Sequence, residues 1–407
     1  TTDYGVTWQQ IVNGIPSNTF ARSVREDPDH RGLLYAGTET GVYVSFNDGA
    51  VWQELALDMP EVPITDLRIR QKDLVVATQG RSLWILDDLT PLHQIANAVA
   101  AAGHHLYAPR DPYRSIARGY YAEGGPGQNP PEGLQLHYVL SDTVDADMRI
   151  AVEILDVRGR VVFVDDSEAP APACGRSPAG SGPSRKQGAN RWSWDMEVGR
   201  FACIPEINAT SPGMSAYPAA PGRYQARLTV GDFSQTQDFE ILIDPRLAGF
   251  AADPVAEYAE LDRLSASLLA AAGDMAQGIQ EMRQVQEQLA FRIEVSASSE
   301  VTAQGEALGE TVDTWIAKLL QSELKTFQNA YQHEARLLMK FKDLLARIGG
   351  ANIPVTDGVK EVTGDYLEEW EGIAAELQVI KGQDIPAFNR VLRAAGLPEI
   401  FLPRPVT

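Results

Sequence analysis

Short apolar runs separated by turn-forming residues fill the first 95 positions. Glycine, proline, aspartate or asparagine interrupts them roughly every eight to twelve residues, which is typical of short antiparallel β-strands. The runs come in two sets of four: 20–24, 33–37, 41–45 and 51–55, then 64–69, 73–78, 81–86 and 92–95. Four strands per unit, recurring at a period of about 45 residues, is the pattern of a β-propeller blade. We therefore predict propeller blades over residues 1–102.

A turn motif occurs twice in this region, 44 residues apart, as TTDYGVTW at 1–8 and SFNDGAVW at 45–52. The acid or amide can accept hydrogen bonds from nearby backbone N–H groups, and the glycine supplies a conformation that other residues resist. The closing tryptophan is expected to pack between sheets. We predict structural roles, rather than sugar recognition, for Asp3, Gly5, Trp8, Asn47, Gly49 and Trp52.

The motif resembles the Asp-box, also called the bacterial neuraminidase repeat. Residues 33–45 and 73–92 are similar to blades of large bacterial proteins with sortilin-type and neuraminidase-type repeats, which are often labelled glycosyl hydrolases. The resemblance implies that this chain corresponds to the C-terminal part of such a protein. In that family the second stretch usually reads Thr-His-Gly-Arg, whereas position 79 here is Gln. A role of the family's histidine is therefore not assigned to this position.

Two blades cannot close a propeller, which needs about four to eight. An open fan of blades leaves sheet edges and apolar faces exposed. We therefore expect the missing blades to come from the same longer chain or from another chain.

The middle of the chain changes character twice. Proline and glycine are frequent over 103–133, which predicts an ordered connector. Alternating apolar positions over 134–246 predict an immunoglobulin-like β-sandwich. Trp192 and Trp194 lie in one of its strands, where they can either fill the core or stack on sugars.

Candidate metal ligands and disulfides are few. Cys174 and Cys203 are the only cysteines, and they form either a disulfide or two unpaired thiols. Neither belongs to a C-x-x-C pair, and His104 with His105 lacks a third ligand. We predict no metal site and no cofactor.

Apolar residues recur at three- and four-residue steps from the Asp253–Pro254 pair onward. The pattern predicts three long helices, a first from residue 254, a second over 312–348 and a third over 359–380, followed by a short one near 384–395. A polar stretch, 296–309, separates the first two. We predict that residues 250–407 form a helical bundle, with a coiled-coil surface for a partner as the alternative.

Composition limits the possible partners and location. The 407 residues carry a formal net charge of −20 and a pI of about 4.7, which argues against nucleic-acid binding because that needs clustered lysine and arginine. No run of eighteen apolar residues occurs, so no membrane span is expected. No signal peptide is visible at the start. We expect a secreted or periplasmic protein.

A glycosidase needs two carboxylates, roughly 5–5.5 Å apart for retention or 6.5–9.5 Å for inversion. The blade region offers Asp66, Asp73, Asp87 and Asp88, but no spacing singles out a pair. A sialidase also needs clustered arginines, which Arg68, Arg70 and Arg81 do not establish. We therefore favour a binding or interaction scaffold for a polypeptide or glycan. The alternative is a glycoside hydrolase whose carboxylates lie mainly in blades absent from this chain.

Overall fold

The computed structural model describes residues 1–55, 58–95, 103–114, 132–168, 182–199, 204, 216–247, 249–323, 332–349 and 353–402. β-Sheets occupy the N-terminal and middle parts of the chain, and helices occupy the C-terminal part. This order confirms the predicted β-then-α architecture. The cysteines Cys174 and Cys203 lie outside the described residues.

Two antiparallel sheets form in chain order at the N-terminus. The first contains β1 (Ala21–Glu26), β2 (Leu34–Thr38), β3 (Val42–Ser45) and β4 (Gln53–Glu54). The second contains β5 (Ile64–Arg70), β6 (Asp73–Thr78) and β7 (Leu83–Leu86). Residues from both sheets, including Tyr35, Val44, Leu67 and Val76, share one buried cluster. The sheets therefore pack face to face.

The strand predicted at 92–95 is wrong, because the chain forms a short helix there, α1 (Thr90–His93). Pro91 lies in its first turn, where its fixed φ suits a helix and its missing N–H costs nothing. The carboxylate of Asp88 accepts the backbone N–H of Thr90 at 3.0 Å. The second sheet therefore has three strands rather than four.

Residues from 105 to 243 form two larger sheets and one small strand pair. The three-stranded sheet has the order β13-β10-β8, and the five-stranded sheet has the order β12-β11-β16-β17-β9. The strands are β8 (His105–Leu106), β9 (Tyr113–Arg114), β10 (Leu134–Leu140), β11 (Ile150–Asp156), β12 (Val161–Asp166), β13 (Gly188–Trp194), β14 (Glu197–Val198), β15 (Tyr217–Pro218), β16 (Gly222–Val230) and β17 (Phe233–Ile243). Strands β8 and β9 come from the region predicted as a connector, and each lies at the edge of a sheet.

The inner faces of these two sheets share one apolar core. Trp192 and Trp194 lie in it, 6% and 1% exposed. The indole N–H of Trp192 donates to Asp165 at 2.8 Å, and that of Trp194 donates to the carbonyl of Glu197 at 2.9 Å. Both rings are therefore used internally, and the sugar-stacking alternative for this pair is wrong.

Helices form the C-terminal part of the chain. They are α2 (Pro254–Val295), α3 (Ser299–Leu319), α4 (Leu337–Gly349), α5 (Asp357–Val379) and α6 (Ile385–Ala394), with a π-helical turn (Ile380–Asp384) between the last two. Asp253 caps α2 by accepting the N–H of Ala256 at 3.0 Å. The predicted cap and the proline at the first helical position are confirmed.

The prediction of one long helix over 312–348 is wrong, because α3 and α4 are separate. Helix α3 begins inside the polar stretch that was expected to break the pattern. Ser298 caps it, and Val301 and Leu308 are buried while the polar residues around them face solvent. The polar composition therefore marks an exposed helix surface. At the other end Leu320 has extended backbone, which ends α3.

The middle sheets and the helices share one continuous core. Arg114 of β9 is part of the contact, since its guanidinium stacks on the ring of Tyr258 in α2 at 4.5 Å. It also donates to the carbonyl of Ala219 at 3.0 Å. Burial lowers the pKa of Arg114. None of the helices in the described ranges combines the length and apolar character that crossing a membrane requires.

Candidate functional site

The two copies of the turn motif close with the same side-chain hydrogen bonds. A carboxylate oxygen of Asp3 accepts the N–H of Thr7 at 2.9 Å, and the amide oxygen of Asn47 accepts the N–H of Val51 at 2.9 Å. The pKa of Asp3 is lowered to about 2, and the hydrogen bond from the N–H of Thr7 is the largest cause of this shift. Aspartate and asparagine therefore have the same structural role, because each offers an acceptor oxygen to the N–H group four residues later in the turn.

The glycines of the two turns also match. Gly5 has φ +91° and Gly49 has φ +83°, a region that residues with a Cβ rarely adopt. The N–H of Gly5 donates to the hydroxyl of Thr1 at 2.7 Å, and that of Gly49 donates to the hydroxyl of Ser45 at 2.9 Å. Backbone and side-chain geometry therefore repeat from one turn to the other.

The two tryptophans differ. Trp52 is 4% exposed and packs with Ala36 and Tyr43 on the face of the first sheet that points away from the second. Trp8 is 80% exposed, and its indole N–H donates only to the carbonyl of Gly5, at 3.2 Å. The prediction that this tryptophan packs between sheets is wrong for Trp8, because no described segment covers it.

Apolar side chains are also exposed on the outer face of the second sheet. Leu83 and Ile85 of β7 are 67% and 56% exposed. They lie opposite Ala77 and Val75 of β6, which places all four on one face. In the first turn motif, Tyr4, Val6 and Trp8 are exposed as well. Apolar side chains are therefore exposed on the outer face of the second sheet and in the first turn motif.

Asp66, one of the candidate carboxylates, is paired with basic side chains. The guanidinium of Arg25 lies 2.5 Å from it, and the hydroxyl of Ser23 donates to it at 3.1 Å. Its pKa is lowered, first by the hydrogen bond from the N–H of Leu67. A carboxyl that stays ionised is a poor general acid.

The candidate arginines are spread over two elements of the second sheet. Arg68 and Arg70 lie two residues apart on β5, and Arg81 lies in the turn before β7.

The other three candidate carboxylates gather where the second sheet meets the three-stranded sheet. Asp73 accepts the guanidinium of Arg110 at 2.7 Å and the N–H of Asp88 at 3.0 Å. Asp88 has φ +65°, and its Oδ2 is buried without a hydrogen-bond partner among the described residues. That oxygen lies 3.8 Å from Nε2 of His137. Burial, then the charge of Asp73, raises the pKa of Asp87.

The histidines on the other side of this junction are partly buried. Burial lowers the pKa of His137, although Asp88 opposes the shift. Burial lowers the pKa of His105, whose ring contacts Tyr107 edge-on. The ring of His104 contacts Phe233 instead. In the described ranges, no three His, Cys, Asp or Glu side chains are placed to hold a metal ion.

A buried polar cluster between the first sheet and α1 was not predicted from the sequence. Asp27, whose side chain is 0% exposed, accepts the hydroxyl of Tyr35 at 3.1 Å and lies 2.9 Å from Nε2 of His93. Burial, then the charge of Asp27, raises the pKa of Tyr35. Asp27 and His93 are 66 residues apart, and no local pattern pairs them. The cluster ties α1 to the first sheet.

A comparison with models of known protein families finds no match to this chain. A search of curated proteins finds no match either.

Proposed function

We propose that this chain is the C-terminal part of an extracytoplasmic β-propeller protein that acts as a binding scaffold for a polypeptide or a glycan. The observation that carries the proposal is the exposed apolar outer face of the second sheet. Leu83 and Ile85 form this face, and Tyr4, Val6 and Trp8 of the first turn motif are exposed as well. Such faces are what neighbouring blades bury in a closed ring.

In this proposal the outer face of the second sheet receives a further antiparallel sheet of the same propeller, supplied by the longer chain or by another chain. Two features support the assignment. The sheets are antiparallel meanders in chain order, and the repeated turn has one geometry in both copies. The paired sheets over 134–243, proposed to be immunoglobulin-like, and the helices that follow then form an attached unit that shares its core.

Binding is favoured over hydrolysis because three of the four candidate carboxylates are engaged. Asp66 is paired with Arg25, Asp73 is paired with Arg110, and Asp88 is buried beside His137. A retaining or inverting glycosidase needs an acid and a second carboxylate on either side of an open cleft. In the hydrolase alternative that pair lies in blades outside this chain.

The experiment measures binding and turnover on the same ligands. The protein is screened against immobilised glycans and polypeptides, and the bound glycans are then assayed for newly released reducing ends. We expect saturable binding without release. Release of reducing ends that is lost when one inward-facing Asp or Glu becomes its amide would establish the hydrolase instead. Absence of any saturable ligand in both sets would remove the scaffold function.

A further inference from the structure

A groove of about 460 Å³ runs between α3 and α5 and ends at the π-helical turn. Apolar groups form its floor. Ala307 and Val379 are exposed to it, Val379 by 45%, while Trp315 and Ile380 are buried beneath. The indole N–H of Trp315 donates to the carbonyl of Ile373 at 2.9 Å, which joins α3 to α5 under the groove. The groove is therefore built by packed helices rather than by loops.

Acidic side chains line the rim of this apolar floor. Glu310 lies on α3, Glu376 on α5 and Asp384 at the end of the π-helical turn. Lys318 pairs with Glu376 at 2.5 Å. Across the ranges that the structure describes, Glu310 and Asp384 form no ion pair with a basic side chain. Two of the three rim carboxylates therefore remain available to an external cation.

The lysine of the π-helical turn is paired away from the rim. Lys381, within the π-helical turn, lies 2.6 Å from the nearly buried carboxylate of Glu281 on α2. Helices α3 and α5 together carry eleven acidic residues and only two lysines, Lys318 and Lys360. The groove thus lies in a strongly negative surface, whose field attracts cationic partners and repels anionic ones.

We propose that this groove binds a lysine- or arginine-rich amphipathic helix of a partner protein. Aliphatic stems of the partner's basic residues cover Val379 and Ala307, and their charged heads reach Glu310 and Asp384. A groove between two helices, apolar below and charged at the rim, matches recognition of a third helix. Anionic glycans are repelled. The inference rests on the scaffold function proposed above, because it names one partner class and its surface.

The probe is a synthetic amphipathic helix of leucine, alanine and lysine, with a copy in which glutamate replaces every lysine as the negative control. Binding to the whole chain is measured by fluorescence anisotropy at low salt and at physiological salt. The test variant is Glu310→Gln/Asp384→Asn. The matched control is Glu361→Gln/Asp365→Asn, which removes the same charge at the other end of α5. Val379→Ser separately removes the exposed apolar contact of the floor.

We expect the lysine peptide to bind and the glutamate peptide not to bind. The groove variant should weaken binding about tenfold, equivalent to the loss of roughly 1.4 kcal/mol, and Val379→Ser should also weaken it. The control should change affinity by less than about twofold, since exposed charges at that distance are screened. Circular dichroism melting of each variant excludes unfolding as the cause.

Equal weakening by the groove and control variants would overturn the inference, because it would indicate general charge attraction. No binding of the lysine peptide would overturn it as well. If the protein still binds a glycan or another polypeptide in the screen described above, the scaffold function survives while the groove assignment fails. If neither binds, both fail.

Discussion

Replacing Gly37 with alanine tests how closely the two N-terminal sheets pack. Gly37 lies in β2, and a Cβ at this position would meet Cγ2 of Ile64 at 2.6 Å and Cβ of Ile64 at 3.0 Å. Carbon atoms normally pack at about 3.5–4.0 Å, so the overlap approaches roughly 1 Å. Ile64 is fully buried and β-branched, which leaves it few alternative rotamers.

The expected cost of Gly37→Ala is about 1–3 kcal/mol of over-packing. If the new Cβ did not contact Ile64, Gly37→Ala should instead stabilise the protein by about 0.4–1 kcal/mol, because alanine restricts the unfolded chain and its backbone conformation is allowed here. Native-state hydrogen exchange of peptides covering β1 to β6 measures the free energy of opening for these sheets alone. The C-terminal helices provide an internal reference, since their exchange should not change.

A double-mutant cycle with Ile64→Ala identifies the contact. Ile64→Ala alone should cost about 2–5 kcal/mol as a large-to-small core substitution. It also removes Cγ2, the atom closest to the new methyl group, so Gly37→Ala should cost clearly less in the Ile64→Ala background. Strict additivity of the two substitutions, or stabilisation by Gly37→Ala alone, would refute face-to-face packing of the sheets at this position.

Three further predictions concern separate parts of the chain. Burial lowers the pKa of His137, so this histidine binds a proton more readily in the unfolded chain than in the folded one. The free energy of unfolding should therefore fall as the pH drops from about 6.5 through the lowered pKa. The variant His137→Gln should flatten this pH dependence in urea unfolding. Asn47→Ala removes the acceptor for the N–H of Val51 and should cost about 1 kcal/mol by local hydrogen exchange, whereas no change would contradict a structural role. Within α2, Gly278→Ala should destabilise by about 1–3 kcal/mol in urea unfolding, because the new Cβ would lie 2.8 Å from the ring of Trp315. Gly273→Ala meets nothing within 4 Å and should stabilise by about 0.5–1 kcal/mol; equal effects would contradict the close approach.

Local signals predicted much of the fold. Short apolar runs separated by turn residues located the strands from β1 to β7, and the Asp253–Pro254 pair located the start of α2, because both depend on neighbours in sequence. The errors arose where one local signal was weighed against another. Pro91 favours a helix more strongly than the apolar residues beside it favour a strand. The polar stretch at 296–309 is compatible with a helix that has one buried edge.

The candidate site was less predictable, because its contacts join distant segments. Asp88 and His137 meet between two sheets, and Asp27 and His93 meet across 66 residues. Nothing in residue spacing distinguishes these carboxylates from the solvated ones. The exposure of Trp8 was equally hidden, since its motif is the same as that of buried Trp52. Burial is decided by what covers a residue, and a local motif does not contain that information.

Cysteine footprinting at position 85 measures whether a further sheet covers the outer face of the second sheet. The variant Ile85→Cys, with Cys174 and Cys203 replaced by serine, is labelled with a small maleimide in this chain alone and within the longest native form of the protein. We expect rapid labelling in the isolated chain, where this side chain is 56% exposed, and strong protection in the native form, where another sheet covers it. Equally rapid labelling in both forms would show that no further sheet packs on this face.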